Sequence, residues 1–277
     1  SLEKVRIVRI GLSGMSPAIH YRFGQCIRDA AEKLGRRAVF IASGDLSHKL
    51  KEDGPYGYVP EGPVFDRQCT EALGQGDFFR LLTLDHSLCT RATECGLRSF
   101  WIMSGAWDGA AVRSRLLSYE GPFGVGYGVA SFLGEGPDPS RKFLRPLLEA
   151  ERKQRAERIA QEDPYVKLAR LAVETYIKNH EIAPLPADLP SEMLHTRTGA
   201  FVSLHLQDQL RGCIGTFLPT QDCLAREILL NGIAAATRDP RFPAVRLEEL
   251  PYLEYNVDVL NTPEPISGPE ELDPRKY

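Results

Sequence analysis

Ala38-Val-Phe-Ile-Ala-Ser-Gly-Asp-Leu-Ser-His48 decides the fold of the first half of this chain. Its opening residues, Ala38 to Ala42, form an uninterrupted apolar run of the kind found in strands buried on both faces. A glycine turn carrying Asp45, Ser47 and His48 follows at once. Upstream, Val5-Arg-Ile-Val-Arg-Ile-Gly-Leu12 is a second β-branched run ending in glycine, which predicts a strand. Between the two runs Phe23, Ile27, Ala30, Ala31 and Leu34 recur at helical spacing before Gly35, an amphipathic helix with a glycine stop. Strand, crossover helix and strand in that order predict parallel pairing and an α/β domain. After a polar loop over 43–62, Pro63 opens helical segments that run to about Ala106, with a break near Gly74-Gln-Gly76. Arg115 to Glu120 and Gly126 to Phe132 read as two closing strands.

Gly136-Pro-Asp-Pro then breaks regular structure, and residues 136–162, charged and poor in apolar positions, read as a linker helix. Asp163-Pro164 supplies an N-cap and a proline at the first helical position of a second domain, residues 163–277. There Val166, Ala169, Val173, Tyr176 and Ile177 make one apolar face. A hairpin, Ala200 to Leu206 returning through Gln207-Asp208 into Leu210 to Phe217, is expected to form its core. A helix capped by Thr220 and a strand over Tyr255 to Leu260 follow. The fold class is α/β, in two domains.

The 277 residues, 43% hydrophobic and 26% charged, exclude a disordered or fibrous chain. No apolar run approaches the ~20 residues of a membrane span. A net charge of −3, with no basic excess in either half, argues against nucleic acid as a partner. The six cysteines, Cys26, Cys69, Cys89, Cys95, Cys213 and Cys223, form no CxxC pair, which points to reduced thiols and a cytoplasmic location. The chain opens at Ser1 two residues before an expected strand's approach and stops just after a Pro-rich loop, so it reads as an internal piece of a longer protein.

Residues beyond the carboxyl end of a parallel strand are where α/β domains place their sites, so Asp45, Ser47 and His48 are the first candidates. An Asp and a His held by a glycine turn suit acid–base work; the plainer alternative is an Asx turn beside a solvent-facing His. Glu94, among small and apolar residues, needs a cation or donor if buried, and Arg91 or Arg98 can supply one. His20 precedes the first helix and reads as a turn residue; His86 is assigned to the surface. In the second domain Cys213 lies between two glycines that allow close approach of a backbone or ligand. Arg211, Arg238 and Arg241 can surround it and bind an anion; alternatively Cys213 is an inert core residue and the arginines pair with Asp239 and Glu254.

Ile41-Ala-Ser-Gly-Asp-Leu-Ser-His48, Gly62-Pro-Val-Phe-Asp66, Ala92-Thr-Glu-Cys-Gly96 and Tyr119-Glu-Gly-Pro-Phe-Gly-Val-Gly-Tyr127 resemble, in this order, the C-terminal half of class III extradiol ring-cleavage dioxygenases and the related Memo-like proteins. The resemblance covers about residues 5–134, within a domain of residues 1–135. It implies a ferrous ion held by two His and one Glu, with a separate His as acid–base residue. Carried onto this chain, Glu94 is the carboxylate ligand and His48 the acid–base residue, with Asp45 and Ser47 shaping its loop. Both family His ligands lie upstream of the matched half, and His20 has no support from the match as a replacement. Fe(II) is therefore expected in the full-length parent and not in this piece alone.

Leu210-Arg-Gly-Cys-Ile-Gly215 and Ala234-Ala-Ala-Thr-Arg-Asp-Pro-Arg-Phe242 resemble the AMMECR family, from about Asp163 to Tyr277. The fusion is similar to AmmeMemoRadiSam proteins, which implies a radical SAM partner and a small-molecule substrate, an aromatic one being the family's class. The function expected is a non-haem Fe(II) extradiol-type dioxygenase joined to an AMMECR domain. The alternative is a non-catalytic module that presents a substrate to a radical SAM enzyme.

Overall fold

The computed structural model describes residues 6–206, 209–261 and 268. The hairpin tip Gln207-Asp208, Val5 at the head of the first expected strand, and the Pro-rich end of the chain lie outside the described residues. The chain divides into two compact units, Ser1–Ala156 and Glu157–Tyr277.

In the first unit α1 (Pro17–Lys33) starts with proline at its first turn and ends at Leu34, with Gly35 in the left-handed region at φ 57°. Then follow α2 (Glu61–Gln75), stopped by left-handed Gly76, and two short helices, α3 (Phe78–Leu82) and α4 (His86–Ala92), each capped by an aspartate side chain. The apolar α5 (Leu97–Ala106) comes next. β1 (Ala110–Glu120) and β2 (Tyr127–Pro137) form an antiparallel hairpin with two irregularities in register. Leu46, Phe65, Cys69, Phe78, Leu81, Leu97 and Phe100 make the core that α2 and α5 share with the hairpin.

The expected parallel strands do not form. Residues 6–12 and 38–42 run without ladder partners among the described residues, and both sheets are antiparallel. The second run does alternate: Phe40 and Ala42 pack on the core, while Val39 and Ile41 are 89% and 82% exposed. An uninterrupted apolar run specifies neither which face is buried nor which backbone supplies the hydrogen bonds that make a strand. The closing strands were placed correctly but are longer than the pattern indicated.

α6 (Leu144–Gln161) occupies the charged segment, and only Leu147 on it is buried. In the second unit Asp163 caps α7 (Pro164–Asn179) by accepting from the Val166 amide at 2.9 Å. A single turn, α8 (Ser191–His195), precedes a three-stranded sheet of β3 (Ala200–Leu206), β4 (Gln209–Gly215) and β5 (Leu253–Val259), in which β3 is central. Ala200, Val202 and Leu204 alternate inward from β3 onto α9 (Leu224–Thr237) and α7. The N-cap of α9 is Cys223, not Thr220; Thr220 instead donates its amide and hydroxyl to buried Glu227.

α1 and α5 cross with their backbones nearly touching. A methyl group on Gly24 would sit 2.0 Å from the Ile102 carbonyl oxygen, and one on Gly105 would sit 1.9 Å from that of Tyr21. Backbone does not yield as a flexible side chain does, so Gly105→Ala is expected to lower stability by about 1–3 kcal/mol. Denaturant unfolding followed at α1 and α5 measures this; an unchanged midpoint would contradict the close crossing.

Candidate functional site

The loop over residues 43–48 is held from three sides. Toward α5, Gly44 (φ 154°) lies so close to the 95–96 backbone that a Cβ would meet the Gly96 Cα at 2.4 Å. The amides of Gly96 and Cys95 donate to the Asp45 carbonyl at 2.9 and 3.3 Å, and the Asp45 amide donates to Cys95 Sγ at 3.1 Å. Toward α4, the His48 amide and the Ser47 hydroxyl both donate to the Ala92 carbonyl at 3.1 Å. Toward the turn before β2, the Leu46 amide donates to Gly126 and the Gly126 amide to Ser47, each at 2.8 Å.

Beneath the loop lies Asp66 of α2, 1% exposed. Its Oδ1 accepts from the Ser47 amide at 2.7 Å and its Oδ2 from the Tyr119 hydroxyl at 2.6 Å. Position 126 must be glycine, because a Cβ would fall 2.0 Å from Asp66 Oδ2. Burial pushes the Asp66 carboxyl above the ordinary range, against the pull of Tyr119 and of the Ser47 amide. Burial and the neighbouring Asp66 likewise push the Tyr119 phenol up.

This frame places the His48 ring against Tyr56, stacked at 5.2 Å. His48 Nε2 is a buried atom without a hydrogen-bond partner, and Asp45 Oδ2 faces it at 3.7 Å. Donor atoms of Asp45, His48 and Cys95 all lie within 4.8 Å of one another. Glu94 is not in that group. Burial raises its carboxyl, opposed by the Leu97 amide, which donates to its Oε2 at 2.6 Å at the start of α5. Arg98 adds a favourable field, while Arg91 pairs with Glu61. Cys69 is buried and Cys89 half-buried; desolvation pushes both thiols up, Cys89 to about 12, so neither ionises near neutrality. His20 is buried, bonded through its Nδ1 to the Ser16 carbonyl and set edge-on to Trp101, apart from the group. His86 is exposed.

In the second unit the arginines largely serve carboxylates. Arg211 donates to Glu249 at 2.8 and 3.0 Å and to the Pro243 carbonyl, so it does not line Cys213. Arg241 grips Asp239 with two bonds of 3.0 and 2.8 Å and also donates to the Cys213 carbonyl. Arg238 is exposed and has no partner among the described residues. Glu254 pairs with Arg158 rather than with these arginines. The Cys213 amide donates to Asp239 Oδ2 at 2.8 Å, and the Ser203 hydroxyl donates to its sulfur. The flanking glycines admit protein, not ligand: Gly212 lies under the Ala235 carbonyl and Gly215 against the Phe201 ring.

Residues 2–130 match the family described as the catalytic LigB subunit of aromatic ring-opening dioxygenase, and residues 166–277 match AMMECR1. The chain joins a LigB-like domain to an AMMECR1 domain. A Clostridium acetobutylicum protein is 42% identical over 276 residues, 99% of this chain and 58% of its own length. A Thermotoga maritima protein is 50% identical over 117 residues, 42% of this chain and 67% of its own length. A crystal structure of a Pyrococcus horikoshii protein is 42% identical over 41% of this chain and 57% of its own, with a TM-score of 0.37. The chain thus spans little more than half the length of the Clostridium relative. No helix among the described residues is long and apolar enough to cross a membrane.

Within the LigB-like domain, Asp45 and His48 share a cluster with Cys95, while Ser47 turns inward to Asp66 and the Ala92 carbonyl. Cys95 and Asp66 are the residues the sequence reading passed over. Both stand inside quoted motifs, but their partners are fifty and nineteen positions away, and only the Gly44–Gly96 contact and the Ser47 amide bring them in.

The two halves also differ in how they hold buried carboxylates. Arg241 keeps Asp239 well below the ordinary range; burial works against Glu227 and Glu249, but Thr216 and Thr220 on one and Arg211 on the other prevail and lower both. Such groups stabilise the fold fully above their unfolded values, roughly 3.9–4.3, and lose that contribution as pH falls through the folded ones. Asp66, Glu94 and Glu151 of the LigB-like domain are raised and so gain relative stability on protonation. Below about pH 4 the AMMECR1 domain is therefore expected to open first, and Asp239→Asn to flatten its pH dependence. Hydrogen exchange resolved by domain checks this; earlier opening of the LigB-like domain would contradict it.

Proposed function

We propose that the LigB-like domain carries out ferrous-dependent oxidation of the extradiol type on a small molecule, with an aromatic diol as the substrate class, acting in the cytoplasm beside a radical SAM partner. The observation that carries this reading is the convergence of Asp45, His48 and Cys95 around one point, with His48 Nε2 buried and unpartnered. Carboxylate and thiolate are donors a divalent first-row ion accepts, so Asp45 and Cys95 fit the group as part of its ligand set. Asp45 and Cys95 would hold the ion, in place of Glu94, whose carboxylate is engaged by the Leu97 amide. Further donors would come from polypeptide outside residues 1–277. A ferrous ion held there would supply Lewis-acidic, redox-active chemistry toward a diol and dioxygen.

The chain's own residues then do the rest. His48 accepts the substrate hydroxyl proton at Nε2, the atom without a hydrogen-bond partner, and returns a proton to the opened product. Tyr56, stacked on the ring, limits its rotation and offers an aromatic face to a planar substrate. Asp66 acts as a positioning residue, through the Ser47 amide.

His48→Gln in the full-length parent is expected to keep bound iron while turnover falls roughly 10²–10⁴-fold. Cys95→Ser is expected to lose iron and turnover together. With too few donors of its own, the 277-residue chain is expected to release Fe(II) on a chelating column. Stoichiometric retention would make His48 a ligand as well. Iron-free parent that still binds its substrate and a radical SAM protein would favour the alternative, a presenting module.

A further inference from the structure

A second concavity lies in the LigB-like domain, and none of its lining residues belongs to the Asp45–His48–Cys95 group. It is a cleft of about 550 Å³ between α1, the turn after α5 and the first half of α6. That volume is in the range of small-molecule sites.

α6 is fastened to α1 by one face and presents the adjoining one to the cleft, with Leu144 at the border packed on the same core as Leu147. Leu147 is buried, and Glu151, one turn on, accepts from the Ala18 amide at 3.0 Å. The residues that line the cleft, at 144, 145, 148, 149 and 152, follow helical spacing along the face beside it. Leu144 and Leu148 form an apolar ridge one turn apart, and Leu148 is 45% exposed on an otherwise charged helix.

The charges are uneven in what they already have. Asp108 on the wall is buried, accepts from Tyr21 and faces Arg28 at 3.7 Å. Glu149 pairs with Arg145. Lys142 and Arg152, at opposite ends of the ridge in sequence, have no side-chain ion pair or hydrogen bond among the described residues. The stem of Lys142 lies along Gly109, where a Cβ would come within 3.3 Å of it. The cleft thus combines two uncompensated cations with an apolar ridge.

We infer that this cleft binds a small organic anion with an apolar body, its body along Leu144 and Leu148 and its charged head at one end of that ridge, on Lys142 or Arg152. The inference does not depend on the reaction at His48, since the two sites share no residue.

The test uses naphthalene-2-sulfonate as probe and neutral naphthalene-2-methanol as its control, by calorimetry, with amide shifts in isotope-labelled protein for location. Saturable sulfonate binding that shifts the amides of residues 142–152 and weakens with salt is expected. The Lys142→Ala/Arg152→Ala variant, changed only at exposed side chains, is expected to bind roughly tenfold more weakly or worse, the scale of one lost charge-assisted contact. Lys178→Ala, on α7, is expected to leave binding unchanged. Equal binding by the double variant, equal binding of the alcohol, shifts confined to other segments, or no saturable binding would each overturn the assignment.

Discussion

One buried carboxylate organises the LigB-like domain. Asp66 has no solvent to satisfy it, so its two oxygens need donors, and the fold provides the Ser47 amide and the Tyr119 hydroxyl. Leaving a buried polar group without its partner costs about 1–3 kcal/mol, so each of these contacts constrains the segment it reaches. The Ser47 contact fixes the loop that carries Asp45 and His48. The Tyr119 contact ties that loop to β1, and Gly126 is the residue that lets the β2 turn close over it. Gly44 and Gly96 complete the arrangement by allowing two backbones to meet, which delivers Cys95 to the same place. The chemistry on the surface of this loop is thus set by packing beneath it.

Carboxylates in the AMMECR1 domain are buried on different terms. Glu227 accepts from Thr216, twice from Thr220 and from the Gln221 amide, which fixes the turn after β4. Asp239 binds Arg241 on one side and the Cys213 amide on the other. These carboxylates are saturated with donors and favour ionisation, the pattern of groups that hold a fold. Around the 43–48 loop burial instead raises the carboxyls of Asp66 and Glu94, and His48 Nε2 has no hydrogen-bond partner.

Several signals in the sequence hold because the physics behind them is local, though Thr220, drawn away by Glu227, is not the cap of α9. Asp163-Pro164 caps α7, Gly76 ends α2, and the β3–β4 hairpin follows its alternating pattern. Signals that depend on a distant partner do not. The run 38–42 has the composition of a doubly covered strand, yet strand formation needs a neighbour's hydrogen bonds, and composition is silent on where these come from. Arg211 stands two residues from Cys213 on a strand and so shares its face, but Glu249, thirty-eight residues away, engages its guanidinium. Glu94 and Cys95 are adjacent in one motif; the Leu97 amide takes the carboxylate and the Asp45 amide takes the thiol. Which of the two faces His48 is a question of backbone path.

The claim on which this account rests is that Asp66 holds the His48 loop in place. Amide hydrogen exchange in Asp66→Ala, compared with the unaltered chain, measures it most directly. The account predicts that protection at Ser47 and His48 collapses while the interiors of α2 and α5 keep theirs. Unchanged protection at Ser47 in a folded variant would contradict it and leave the loop supported by its other contacts alone.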